Sequence, residues 1–292
     1  MMKFQGVIPA LVTPLNEDES INVPVLRNLI EYLVTKNADG FYVGGATGEG
    51  LALRTEERMV LAEESIKCIN KRVPAIIQIA AMDFNDAVTL AKHAEKCGAD
   101  AISATAPLFF AYDKDDIFNY YKKLAESVSI PMMMYYNPAA GFKFDAQFAA
   151  RVFEIDNVTS IKWTSSDYYG MMRLKDLTKG EMNIINGPDE KLLMGLNAGA
   201  DGGIGTTYNY MLEIIKSVYE NFTAGNFAKA QKMQNKADRI IAEAKNLRAI
   251  PAAKAMLEKM GFDVGNATFP MKQYTDEQKN KLFDAVEKIK AE

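Results

Sequence analysis

The chain has one histidine, one tryptophan and two cysteines in 292 residues. Two cysteines, Cys68 and Cys97, cannot build a disulfide framework, and they are expected as buried thiols of a reducing compartment. That points to a cytoplasmic protein. With His93 alone, Ser-His-Asp chemistry and a His-rich metal site would both have to rest on one residue. His93 lies in the helical pattern Asp86 to Lys96 and reads as a surface or partly packed helical residue, so no metal is expected. No run of apolar residues approaches the length of a membrane span. The stretch Met1 to Pro9 lacks a sustained apolar run before a cleavage site, so no signal peptide is expected. A net charge of -4 leaves no basic footprint for nucleic acid.

What the chain does have is an ordinary globular composition, 48% apolar and 25% charged, and enough length to bury a large core. Strand and helix signals alternate along it. Strands are expected at Gly6–Thr13, Asp39–Gly44, Pro74–Ala80, Asp100–Ala104, Ile130–Tyr136, Val158–Thr164, Met182–Asn186 and Asp201–Gly205. Each is followed by a helical pattern: Val23–Lys36, Thr55–Asn70, Asp83–Cys97, Lys114–Ser127, Asp145–Glu154, Tyr168–Leu177, Asp189–Asn197 and Tyr210–Phe222. In the first helix Val25, Leu29, Tyr32 and Leu33 share one side. Eight such units over roughly 220 residues predict an α/β fold, a (β/α)8 TIM barrel. The phrases Lys96-Cys-Gly-Ala-Asp-Ala101 and Asn197-Ala-Gly-Ala-Asp-Gly202 read as the same helix-to-strand turn at the barrel bottom. A doubly wound open sheet alternates in the same way but has two edges to cover. Residues 1–224 form the barrel in this reading. Residues 225–292 form a C-terminal helical extension packed on it, with Phe227, Ala230, Met233 and Ala237 in register.

The strand Val158-Thr-Ser-Ile-Lys-Trp-Thr164 carries the sharpest chemical signal. Alternation places Ser160, Lys162 and Thr164 on one face and Ile161 and Trp163 on the other. Burial of a lysine there disfavours the ammonium and favours the neutral amine, the nucleophile that forms a Schiff base with a ketone. Snorkelling to water is the plainer role for such a lysine.

Four loops fall at the carboxyl ends of strands, where barrels place their active sites. Gly44-Gly-Ala-Thr-Gly-Glu-Gly50 lacks the features of a P-loop or a dinucleotide fingerprint, but its small residues expose backbone N–H groups that can hold a carboxylate, and Thr47 adds a hydroxyl. In Tyr135-Tyr-Asn-Pro138 alternation admits only one of Tyr135 and Tyr136 to the mouth, where a phenol can pass a proton. In Asn186-Gly-Pro-Asp-Glu190, Asp189 and Glu190 either cap a helix or bind the hydroxyls of a polyol. Gly202-Gly-Ile-Gly-Thr-Thr-Tyr-Asn209 sets Thr206 and Thr207 at the rim and lets a ligand approach the backbone.

Together these motifs resemble the dihydrodipicolinate synthase / N-acetylneuraminate lyase family of pyruvate-dependent class I aldolases, over roughly Gly6 to Phe222. The glycine loop, the Tyr135 stretch and Lys162-Trp-Thr164 mark the superfamily. Asn186 to Glu190 and Ala198 to Asn209 mark the N-acetylneuraminate lyase branch. The resemblance implies a homotetramer of barrels acting on a small sugar acid and pyruvate, with no metal, no cofactor other than the covalent Schiff base on Lys162, no nucleic acid and no membrane. It implies that Tyr135 transfers the proton and that Thr47, with the backbone of Ala46, holds the pyruvyl carboxylate. Thr164, Gly187, Asp189, Glu190 and Thr206 would line the sugar site. The implied reaction is cleavage of N-acetylneuraminate to pyruvate and N-acetylmannosamine. The alternatives are another 2-keto-3-deoxy sugar acid as substrate, or a non-catalytic barrel that binds keto acids.

The chain departs from the family's pattern at three places. Ala46 stands where the family has Ser or Thr, and Phe109 where it has Tyr. Both lack a hydroxyl expected to serve the catalytic phenol. Between Pro138 and Gly141 the spacing is one residue short. Only Ala139 and Ala140 stand where the synthase has an Arg for its substrate's carboxylate, which argues against the synthase reaction.

Overall fold

The computed structural model describes residues 3–292, so the first two residues of the N-terminal stretch read above lie outside the described residues. Eight parallel strands form one sheet: β1 (Gly6–Pro9), β2 (Phe41–Val43), β3 (Ala75–Gln78), β4 (Ala101–Thr105), β5 (Met132–Tyr136), β6 (Val158–Trp163), β7 (Asn183–Asn186) and β8 (Gly202–Gly205). Each strand pairs with its neighbour in sequence from β2 to β8, and β8 pairs with β1, with Gly6 opposite Gly202. The last seam closes through a bridge between Ala10 and Tyr42. The Leu11 N–H donates to Tyr42 O at 2.9 Å and the Asp39 N–H to Val7 O at 3.0 Å. Among the described residues no open edge is left, and the doubly wound alternative falls; the (β/α)8 barrel stands.

The outer layer is α1 (Val23–Thr35), α2 (Thr55–Ile69), α3 (Phe84–Cys97), α4 (Lys114–Ala125), α5 (Ala146–Phe153), α6 (Tyr168–Leu177), α7 (Leu192–Asn197) and α8 (Tyr208–Thr223). Four of these start on an aspartate whose side chain accepts from the first turn's backbone: Asp83, Asp113, Asp145 and Asp167. An acceptor there satisfies N–H groups that have no partner within the helix. The buried face of α1 is Leu26, Leu29, Ile30 and Leu33, which turns Val25 and Tyr32 to its margins. Cys68 and Cys97 are half-buried rather than buried, because leucines and alanines hold the inner faces of α2 and α3.

The Val158 strand contains a bulge. Val158 pairs with Met132 and Ser160 with Met133, leaving Thr159 as an extra residue. Such an insertion resets the alternation. Both Val158 and Ile161 therefore pack in the outer core, while Ser160 and Lys162 face the barrel axis. The interior holds its own cluster, including Ile8, Tyr42, Ile76, Met133, Tyr135 and Ile204.

The C-terminal extension is α9 (Phe227–Lys245), α10 (Ala249–Lys259) and α11 (Asp276–Ala291). On α9 the expected seam holds at Ala230 and Ala237, with Met233 half-buried against the core, but fails at Phe227, which is 58% exposed. Gln234 is buried instead. Its amide donates to Asp189 O at 3.2 Å and Asp238 Oδ1 at 2.8 Å, and accepts from the Leu193 N–H at 3.0 Å. A polar side chain tolerates burial when its hydrogen bonds are made, and apolar periodicity does not register it.

The extension also reaches the glycine loop. Lys254 on α10 and Glu49 form an ion pair at 2.8 Å with side chains 4% and 0% exposed. The other Glu49 oxygen accepts the Thr268 N–H at 2.6 Å, and Lys254 donates to Asn266 O at 2.7 Å. Burial pulls the Lys254 pKa down, and Glu49 opposes that shift. Removing one partner leaves a buried charge uncompensated, which costs about 3–5 kcal/mol. Lys254→Met is expected to lower the unfolding free energy by that amount in urea melts. The double variant Lys254→Met/Glu49→Gln should recover most of it, and a double variant as unstable as the single one would contradict this account.

Candidate active site

Lys162 is the penultimate residue of β6, near the carboxyl rim of the barrel, and is 6% exposed. Its Nζ lies 4.5 Å from the Tyr42 ring centroid and 4.4 Å from that of Tyr135. The second buried lysine, Lys254, has Glu49 beside it; Lys162 has no ion-pair partner among the described residues. Tyr135 is its register partner on β5. The two tyrosines separate cleanly. Tyr135 belongs to the interior cluster, whereas Tyr136 packs outward, stacked on Phe144 at 4.9 Å and edge-on to Trp163 at 4.7 Å. Tyr42 fills the floor, with its hydroxyl 2.9 Å from Ser103 Oγ.

The glycine loop folds tightly against this floor. A Cβ on Gly45 would stand 2.4 Å from the Tyr42 ring and one on Gly50 1.9 Å from Gly44 O. No larger residue fits either position, which is the physical reason for the glycine pattern. Ala46 and Thr47 sit at the turn's crest, Ala46 exposed and Thr47 buried. Their N–H groups donate to no protein acceptor among the described residues. Free, adjacent amides with a hydroxyl beside them suit a carboxylate. Thr47 Oγ1 meets Thr206 Oγ1 at 2.7 Å, which joins the loops after β2 and β8.

The acidic pair divides. Asp189 is buried, and its Oδ2 accepts both the N–H and the hydroxyl of Thr207 at 2.7 Å. It does not cap the expected Asp189–Asn197 helix. That segment starts as a 3-10 turn, Asp189–Lys191, before α7, because the carboxylate is turned across to the β8 loop. Glu190 stays half-buried at the rim, 3.4 Å from Lys245 Nζ on α9. Gly187 lies under Thr164, whose hydroxyl would be 1.9 Å from a Cβ at Gly187. The Thr164 hydroxyl is buried without a partner.

Lys162 and Tyr135 thus stand together, while the Thr47–Thr206 and Thr207–Asp189 contacts tie the loops after β2, β7 and β8 to one another. Phe109 stands apart. It is 88% exposed and packs edge-on against Phe110. A cavity of about 200 Å³ opens over Tyr135 and is lined by Ala46, Thr105, Leu108, Asn137, Ile250 and Met271 among others. Phe109 is not part of that wall, so within one chain its missing hydroxyl is not beside the phenol. The structure adds one residue that the sequence reading missed. Thr105 sits opposite Tyr135 in the strand register, 7% exposed, with its hydroxyl unpartnered. Strand alternation from Ala101 was the available signal, masked because threonine is an ordinary strand former.

The dihydrodipicolinate synthetase family model matches residues 3–289. The chain belongs to the dihydrodipicolinate synthetase family. Its relatives in that family include a Rhizobium meliloti N-acetylneuraminate lyase, 31% identical over 290 residues, covering 99% of this chain and 97% of that one. An Oceanobacillus iheyensis 4-hydroxy-tetrahydrodipicolinate synthase is 30% identical over 283 residues, covering 96% of each. Among solved structures, the Clostridium difficile protein CdNal in complex with mannosamine superposes with a TM-score of 0.95 at 28% identity, covering 99% of this chain and 100% of that one. Members of this family are class I aldolases, and the chain is an enzyme of that kind.

Asp189 makes the site pH-sensitive. Burial pushes its carboxyl up from 3.8 to about 6; the two Thr207 hydrogen bonds oppose this, Glu190 adds to it, and Lys162 lowers it. Folding therefore favours the protonated acid. That contribution is fully present below the unfolded value and is lost as pH rises through the folded one. Wild type is expected to lose about 2 kcal/mol more unfolding free energy than Asp189→Asn between pH 4 and 7, at 1.36 kcal/mol per pKa unit. Parallel urea melts across that range provide the measurement, and superimposable pH profiles would contradict it.

Proposed function

We propose that the chain is a Schiff-base aldolase that cleaves N-acetylneuraminate to pyruvate and N-acetylmannosamine. The observation that carries this reading is Lys162, buried at the barrel mouth between two phenol rings with no carboxylate paired to it. Its amine adds to the C2 ketone of the open-chain sugar acid and water leaves, giving an iminium. The free amides of Ala46 and Thr47 and the Thr47 hydroxyl hold the C1 carboxylate. Tyr135 gives its phenol proton to the hydroxide leaving C2; the phenolate so formed takes the C4 hydroxyl proton, the C3–C4 bond breaks, and its electron pair moves to the iminium as an enamine. N-acetylmannosamine departs. Protonation at C3 and addition of water then release pyruvate and restore the amine. The covalent link is the only cofactor this chemistry requires.

The sugar tail meets the loops after β6, β7 and β8. Glu190, at the rim, is the carboxylate that meets the hydroxyls, its pair with the exposed Lys245 being weak enough to yield to them. Asp189 acts from behind by holding Thr207, and the unpartnered hydroxyls of Thr164 and Thr105 are left for ligand. The lyase name of several relatives near 30% identity supports the substrate, as does the absence of an arginine at Ala139 and Ala140. Another 2-keto-3-deoxy sugar acid is the second reading, favoured by Ala46 in place of a hydroxyl. We further propose a cytoplasmic homotetramer, a state that the exposed Leu51, Phe109 and Phe110 side chains support. A monomer in sedimentation velocity would overturn the tetramer.

Borohydride reduction in the presence of pyruvate should place one pyruvyl adduct on Lys162, read by peptide mass spectrometry. An adduct elsewhere, or none, removes the Schiff-base reading. Pyruvate release from a panel of 2-keto-3-deoxy acids then separates the substrates, with N-acetylneuraminate expected to be fastest.

Glu190→Gln should raise KM for the sugar acid roughly tenfold to a hundredfold, as expected for one hydrogen bond to a charged group worth about 1.5–3 kcal/mol. Pyruvate trapping should stay near wild type. Equal loss of both would make Glu190 a structural residue.

A further inference from the structure

The lone histidine does not stand alone in space. His93 and Cys97 are one turn apart on α3, so they share a face. Sγ of Cys97 lies 3.7 Å from Nε2 and 3.9 Å from Nδ1 of His93. Glu63 comes across from α2, and one ligand atom from each of the three lies within 4.8 Å of the others. A tetrahedral ion with a sulfur at ~2.3 Å and an imidazole nitrogen at ~2.0–2.1 Å separates those two atoms by about 3.6 Å. The His93–Cys97 spacing already matches that, without movement of the helix. The donor set is a thiolate, an imidazole and a carboxylate. Thiolate and imidazole favour zinc over the hard, oxygen-seeking magnesium and calcium.

We propose that Glu63, His93 and Cys97 form a three-ligand site for a thiophilic divalent cation of the zinc class, with water as the fourth ligand. The site lies on the helical wall and takes no part in the aldol chemistry. As the sulfur–metal bond forms, the Cys97 thiol releases its proton to solvent, and the metal takes the place of that proton. Lys67 competes for Glu63 at 3.4 Å, but it is 62% exposed and also pairs with Glu64. An exposed pair of this kind is weak. A bound ion would join α2 to α3 directly, and anything that binds the folded chain alone stabilises it.

The test uses the full chain, reduced and metal-free, titrated with cobalt(II) in place of zinc. One equivalent should bind per chain with a near-ultraviolet sulfur-to-cobalt charge-transfer band, and zinc should displace it. Cys97→Ser should abolish the band. His93→Ala and Glu63→Gln should weaken binding by at least about tenfold, the usual cost of removing even an outer partner of a metal ligand. Cys68→Ser should leave the titration unchanged, which separates ligand loss from general thiol effects. Absence of the band in wild type, a band that survives Cys97→Ser, or affinity unaffected by all three substitutions would each overturn the site. Circular dichroism of the apo variants keeps a folding defect from passing as lost ligation.

Discussion

The buried ion pair between Glu49 and Lys254 is the constraint on which the mouth of this barrel depends. Glu49 is the penultimate residue of the Gly44–Gly50 loop and holds a left-handed backbone conformation, φ 57°. Its carboxylate is spent entirely on the extension, through Lys254 and the Thr268 N–H. Two charges removed from water persist only when geometry and remaining hydrogen bonds are satisfied. The pair therefore locks one loop shape, the one in which the Ala46 and Thr47 amides have no protein acceptor among the described residues. An anion site made of free N–H groups needs such rigidity, since a flexible loop would fold them onto its own carbonyls.

The same logic runs around the rim. Asp189 is turned away from its own helix and toward Thr207, which sets Thr206 against Thr47. Asn209 ties the start of α8 to the segment that follows β1 by accepting the Val12 N–H at 3.1 Å and donating to Ala10 O at 2.7 Å. Gln234 of α9 holds the turn that carries Asp189. The extension is thus a wall of the site as well as a brace, since Ile250 and Met271 line the cavity over Tyr135.

Most of the architecture was legible in the alternation of strand and helix signals, because a parallel barrel buries both faces of its strands and repeats one unit. Lys162 was legible because lysine is foreign to a buried strand. The choice between Tyr135 and Tyr136 was not, since register depends on where β5 stops. The bulge at Thr159 was invisible for the same reason. Buried polar residues were the main blind spot. Glu49, Gln234, Lys254 and Thr105 look like surface or filler residues until their partners, far away in sequence, are seen. Glu63 and His93 are likewise brought together only by the packing of α2 on α3.

The aromatic floor has a consequence for traffic. Below Lys162 the axis is plugged by Tyr42, Ile8, Ile76, Met133 and Ile204, all within the interior cluster. Among the described residues the axis is filled by side chains rather than open toward the far end. On the chemistry proposed for Lys162, the water that hydrolyses the last covalent intermediate must enter by the opening through which the aldehyde leaves. Departure of the larger fragment is then a precondition for hydration, and a single doorway imposes the order of release without any moving part.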